Sequence, residues 1–211
     1  MKDLVCLVAD RNMRATIAAL LARPEALAIR PVDFEVLVHP RRDAGCFHEP
    51  AGLLQGYRRR CRHAVVVLDQ AWDGAPPGGA AETERLLEST LRASGLEGWA
   101  RPVVIEPELE AWMFVDSPHV ATVLGWRDRQ PDLRTALAEH GWWRQEEVKP
   151  PDPKACVEWA LREVRIPRSS SIYRDIASRV SLSRCRDRSF QRFRDLLRGW
   201  FGARPSASRR R

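Results

Sequence analysis

Asp10, His39, Asp69 and Glu106 each stand at or just beyond the end of a short apolar run that reads as a β-strand. In open parallel sheets, ligands sit in the crevice outside the carboxyl ends of the strands, so these are the positions where chemistry is expected. Acids leaving three neighbouring strands converge in space although they lie far apart in the chain. Converging carboxylates repel one another unless a cation sits between them, and an all-oxygen set suits Mg²⁺ or Mn²⁺. The competing explanation is helix capping, in which a strand-terminal Asp accepts free N–H groups of the following helix. His39 is the weakest of the four on that weighing.

The segment Glu106-Pro-Glu-Leu-Glu-Ala-Trp112 is unusually acidic. A helix beginning at Pro107, a favoured first helical position, sets Glu106 and Glu110 one turn apart with Glu108 also in the first turn. Acids there complement the helix dipole. Three of them directly after a buried strand exceed what capping requires. Asp10, Asp69, Glu106 and Glu110 are therefore candidate catalytic residues, and Asp69, Glu106, Glu108 and Glu110 candidate metal ligands.

The elements that must position them follow from hydrophobic pattern. Leu4–Val8, Phe34–Val38, Ala64–Leu68 and Pro102–Ile105 read as strands, and Met13–Leu21, a stretch around Ala51–Arg60 and Ala81–Ala93 read as helices between them. The run Ala64-Val-Val-Val-Leu68 is continuously apolar, as expected of a strand buried on both faces. Such alternation predicts an α/β fold: a mostly parallel four-stranded sheet with helices on both faces. After Ile105 only helical patterns remain: Leu109–Val115, Pro118–Leu124, Asp132–His140, Lys154–Val164, Ile172–Val180 and Phe190–Trp200. Prolines 150, 151 and 153 mark a boundary, so the chain divides into an α/β domain over 1–148, a basic all-helical extension over 149–201 packed on it, and a disordered tail over 202–211.

The net charge of +7 is unevenly placed. Residues 151–211 hold 16 Lys and Arg against 6 Asp and Glu, whereas residues 1–150 hold 19 against 22. A basic C-terminal third suits a polyanion, because neutralising phosphates releases counterions. An Arg-rich composition without such a partner is the plainer reading. Lys149, Lys154, Arg165, Arg168, Arg174 and Arg179, with Ser169 and Ser170, are the candidate nucleic-acid contacts. Trp142 and Trp143 read as core or protein-interface residues before base-stacking ones. Five scattered cysteines with no CxxC pair predict reduced thiols and a cytoplasmic location, and Cys46, His48, Cys61 and His63 fit no closed zinc pattern. No apolar run approaches the roughly 20 residues that span a bilayer. There is no P-loop, Gly-x-Ser-x-Gly elbow or Gly-x-Gly-x-x-Gly fingerprint, which argues against Walker-type nucleotide hydrolysis, ester hydrolysis and dinucleotide binding.

The arrangement of acids resembles a Toprim-type domain, in which an acid after the first strand and an Asp-x-Asp pair after a later one hold Mg²⁺ for phosphoryl-transfer chemistry. Glu110-x-Trp112 with Asp116, and Tyr173, Ile176-Ala177, Leu182, Phe190 and Leu196, resemble Toprim-like proteins of bacterial defence islands. Over residues 1–200 the chain is also similar to the small α/β component of methylation-associated phage-defence systems, through Leu7-Val-Ala-Asp10, His39-Pro40, Ser117-Pro-His119 and Arg168-Ser-Ser170. The resemblance places Asp10 as general acid/base and Asp69 as the first Asp of the pair. It departs from the pattern in two places: no Gly follows Asp10, and Ala71 stands where the second Asp belongs, with Asp73 two residues later as a substitute ligand. It implies a Mg²⁺- or Mn²⁺-dependent nuclease of anti-phage defence. The alternatives are a non-catalytic subunit that binds defence partners or DNA through its basic helices, and a scaffold that contacts no nucleic acid.

Overall fold

The fold is described by a computed structural model, covering residues 1–115, 117–144, 146–147 and 149–202. Asp116 and the tail from 203 onward lie outside the described residues.

Four strands form one parallel sheet: β1 (Lys2–Val8), β2 (Phe34–Val38), β3 (Cys61–Asp69) and β4 (Ala100–Ile105), in the order β2-β1-β3-β4. All four stand where the apolar runs predicted them. In β1, Leu4 to Val8 are inaccessible to solvent, and so are Ala64 to Leu68 in β3, because both central strands are covered on both faces. That is why neither shows the alternation of a one-sided strand. The outer strand β2 is only partly buried along its length.

Helices fill the crossovers. Between β1 and β2 run α1 (Arg11–Leu21) and α2 (Pro24–Leu27); between β2 and β3 run α3 (Arg42–His48), α4 (Pro50–Leu54) and a 3-10 turn at Gln55–Tyr57; and α5 (Gly79–Ala93) joins β3 to β4. The helix expected around Ala51–Arg60 is instead two short pieces, α4 and the 3-10 turn, and α3 before it was not anticipated; Pro50 lacks the N–H that would continue α3 and begins α4 at its first position. Gly45 of α3 is required by packing: a Cβ there would stand 1.9 Å from His39 Nδ1. Parallel crossovers are right-handed, so the reversal of strand order puts α1 on one face and α3, α4 and α5 on the other.

Beyond β4 the chain is helical: a 3-10 turn at Leu109–Trp112, then α6 (Pro118–Val123), α7 (Leu133–Glu139), α8 (Pro153–Glu163), α9 (Ser170–Arg179) and α10 (Arg188–Phe201), with a 3-10 turn at Leu182–Arg184. Helix α9 packs along α1, and α10 against β4 and α2. Phe190, Phe193, Leu197 and Phe201 recur at helical spacing along α10, and all four are buried in the same apolar cluster as the sheet. Trp142 and Trp143 are partly buried; Trp143 meets Phe114 edge-on with Arg134 over its ring, and Trp142 packs against Trp159. The five cysteines are buried and unpaired. No helix among the described residues is long and apolar enough to cross a membrane.

The β4 edge is closed to further pairing. Its outward-facing amides belong to Ala100, Pro102 and Val104: the first bonds the Leu96 carbonyl, the second has no N–H, and the third donates to Glu84 at 3.1 Å.

Candidate functional site

The order β2-β1-β3-β4 reverses direction between β1 and β3, and the crevice at such a reversal is where open α/β sheets bind ligands. Asp10 follows β1 and Asp69 ends β3, so the two acids flank that crevice. Asp10 also caps α1, its Oδ1 accepting the Met13 N–H at 2.8 Å, so the capping reading holds for that oxygen. The chain after Asp69 is stitched to the chain after β4: the Gln70 amide donates to the carbonyls of Ile105 and Pro107, and the Ala71 amide to Pro107. This stitching brings the 106–110 acids beside the end of β3.

The expected helix from Pro107 does not form. Glu108 is in extended backbone and the 3-10 turn begins only at Leu109. Glu106 and Glu110 therefore do not share a helical face. Glu110 turns inward, 2% exposed, and accepts hydrogen bonds from Arg168 Nη2 and the Tyr173 hydroxyl, both at 2.5 Å. Glu108 is also buried and pairs with Lys154 at 3.0 Å. Glu106 points the other way: it is exposed and lines a separate groove with Lys149 and Asp187. Asp73 is exposed on the loop before α5.

Sequence reasoning missed Asp43. It sits in α3, four residues past His39, and its Oδ1 accepts the Asp69 backbone N–H at 2.9 Å. No periodicity marks it; only its place just beyond a strand end hinted at a role. Burial pushes the Asp43 carboxyl above its ordinary value, with the charge of Asp10 adding to the effect. Asp69 is displaced further. Burial first, and then the like charges of Asp43, Glu110, Glu108 and Asp10, raise it well above the usual carboxylate range.

The stretch after β3 also carries unmet hydrogen-bonding capacity. Asp69 Oδ1, Gln70 Oε1 and Trp72 Nε1 are buried without a hydrogen-bond partner. Buried polar atoms in folded proteins are nearly always paired, so three within four residues set this stretch apart. Tested against a divalent cation, the donors fit in kind: Asp69 has a free oxygen, and Asp10 and Asp43 each have one oxygen engaged by a backbone amide. They are not preassembled, since among the described residues no three His, Cys, Asp or Glu side chains stand together as a ready metal cage. Glu108 and Glu110 fit less well, their charges being already matched by Lys154 and Arg168.

The six candidate nucleic-acid contacts separate into two sets. Lys149 bonds Asp187 and the Glu106 carbonyl, Lys154 bonds Glu108, and Arg168 bonds Glu110, Glu158 and Tyr173. These three are built into the walls of the molecule. Arg165, Arg174 and Arg179 are exposed, Arg174 beside Asp175. His39 is buried with its Nδ1 accepting the Arg41 N–H, and burial lowers its pKa, so it is neutral at physiological pH. Comparison with family models, with curated proteins and with solved structures found no match to this chain, and its functional reading rests on the chemistry of the site.

Proposed function

We propose that this protein binds Mg²⁺ or Mn²⁺ at Asp69, Asp43 and Asp10 and acts on phosphodiesters of nucleic acid, in the bacterial anti-phage role that its Toprim-like features suggest. The observation that carries the reading is Asp69: a buried carboxylate oxygen with no partner, at the crevice where the sheet reverses, crowded by four other acids. Burial, with like-charge repulsion added to it, raises the Asp69 and Asp43 carboxyls, and a cation there would offset both. When bound, the metal would supply Lewis-acid polarisation of the phosphodiester. Glu108 and Glu110 act as anchors, holding the Lys154 ammonium and the Arg168 guanidinium beside the acids, where an incoming phosphate needs positive charge. The location that goes with this role is the cytoplasm.

The experiment is cleavage of single- and double-stranded DNA and RNA with Mg²⁺ or Mn²⁺, comparing wild type with Asp69→Ala and Asp43→Ala. Metal-dependent cleavage lost in both variants supports the reading. Cleavage by wild type that persists in both would remove it.

A second reading has one observation in its favour: Arg165, Arg174 and Arg179 are exposed on the basic C-terminal third. They suit a non-catalytic subunit that docks on DNA or on defence partners. Its signature is binding to duplex DNA that weakens steeply with salt, with no cleavage under any metal condition.

A further inference from the structure

Next to the acid cluster, the ends of β1 and β2 and the chain entering α9 enclose a crevice of about 610 Å³. It is lined by Arg11, Arg42 and Arg168 together with Ser169, Ser170 and Asn12. Among the described residues Asp10 is the only carboxylate on the wall, and one of its oxygens is occupied by the Met13 amide. Among the described residues neither Arg11 nor Arg42 forms a salt bridge, although Arg42 is near enough to Asp43 to favour its ionised form. We propose that this crevice is a phosphate-binding subsite, which takes the phosphate group of a nucleotide or of a nucleic-acid strand.

Four features converge on an anion of that geometry. Two helices begin at the crevice, α1 after Asp10 and α9 after Ser169, and the Ser170 hydroxyl donating to Asn12 Oδ1 at 2.8 Å ties the two starts together. First-turn amides have no intrahelical acceptor, so those of Arg11 and Asn12 are available to phosphate oxygens. Ser169, the residue before α9, caps no amide of its own helix and shares a hydrogen bond with Ser171 instead. Arg168 is held in one orientation by Glu110, Glu158 and Tyr173, so little rotamer freedom is lost when its remaining donors engage a ligand.

Arg42 adds a fourth feature. Its φ is 50°, in the left-handed region that L-residues other than glycine rarely adopt. Glycine would adopt that conformation without strain, yet the position carries a long cation that faces the crevice. Backbone strain of this kind collects at ligand sites.

The inference extends the nucleic-acid reading by locating where phosphate is held, but phosphate binding itself does not depend on the metal. The test is therefore run in EDTA on the full chain, by ¹H–¹⁵N NMR titration with three probes: inorganic phosphate, a short 5′-phosphorylated DNA oligomer, and the same oligomer without its phosphate. Phosphate is expected to shift the amides of Arg11 and Asn12. Affinity is expected to fall about tenfold or more in the Arg11→Ala/Arg42→Gly double variant, the loss of at least one charge-assisted contact. Arg42→Gly suits the positive φ, and Arg11→Ala alone removes an exposed side chain, so weakened binding will not reflect unfolding. Tighter binding of the phosphorylated oligomer identifies a terminal phosphate as the ligand, and equal binding of both oligomers at these amides identifies internal phosphodiesters. Absence of shifts at Arg11 and Asn12 with every probe, or unchanged affinity in the double variant, overturns the proposal. Because metal is excluded, either failure leaves cation binding at Asp69 to be judged by its own titration.

Discussion

Asp43 accepts the backbone N–H of Asp69 at 2.9 Å, which fixes two carboxylates side by side at the end of the central strand although 26 positions separate them. Two acids so placed share an environment in which ionising one opposes ionising the other. Several measurable consequences follow from that pairing and from the groups around it.

Removing the Asp69 charge should stabilise the metal-free protein. Its folded pKa is raised, so its contribution to stability is full below the ordinary value of 3.8 and is lost as pH rises through the folded value. Asp69→Asn is expected to raise stability at neutral pH by on the order of 1–3 kcal/mol, with the gain shrinking as pH falls toward the usual aspartate range. Urea unfolding of both proteins as a function of pH measures it; a gain that is constant with pH would show that the carboxyl does not titrate as described.

Divalent cation should stabilise wild type as well, by offsetting the same charge. A ligand that binds only the folded state stabilises it by mass action, so Mn²⁺ is expected to raise Tm in wild type and to have little effect on Asp69→Asn or Asp43→Asn. Differential scanning fluorimetry with Mn²⁺ against EDTA reads the shift. An equal shift in all three proteins would locate the ion elsewhere.

Arg168 is the partner whose loss should be felt most in stability. Glu110 is 2% exposed, and Arg168→Ala leaves its carboxylate buried with only the Tyr173 hydroxyl. Breaking a buried pair from one side costs about 3–5 kcal/mol, and the side chain of Arg168 is about one-third exposed, so the lower end is expected. Arg168→Lys should not restore it, since Lys cannot supply the separate donors that reach Glu110, Glu158 and Tyr173 at once. A double-mutant cycle with Glu110→Gln measures the coupling.

The closed β4 edge predicts an aggregation phenotype. Pro102→Val adds an outward-facing amide, and Glu84→Ala frees the one on Val104. Together they recreate a pairing edge, so the double variant is expected to self-associate by light scattering at concentrations where wild type remains monodisperse.

The thiols should be silent until the protein unfolds. All five cysteines are buried, and burial pushes the Cys156 thiol up to about 12 and Cys185 up to about 11. Thiolate is the reactive form, so a thiol reagent is expected to label the native protein slowly and all five positions rapidly in denaturant.

The sheet was legible because its signal is local and strong. Val65, Val66 and Val67 in succession need two covered faces, and each apolar run ends in a polar residue. Hydrophobic pattern alone was enough for the four strands, their α/β alternation, the helices that follow Ile105, and the placing of Asp10 and Asp69 at strand ends. Composition located the basic residues in the C-terminal third.

Which acids meet was set by packing between distant segments. Periodicity put Glu106 and Glu110 on one helical face, but the hydrogen bonds from Gln70 and Ala71 to Pro107 hold the chain extended there, so Glu110 turns in and Glu106 turns out. Asp43 was invisible because a single Asp in a short helix carries no pattern, and it enters the site only through the register of β2, β1 and β3. The partners of Glu108 and Glu110, Lys154 and Arg168, come from 46 and 58 positions away. Local propensity is written in neighbouring residues, whereas the electrostatics of a site depends on distances that only the packed fold sets.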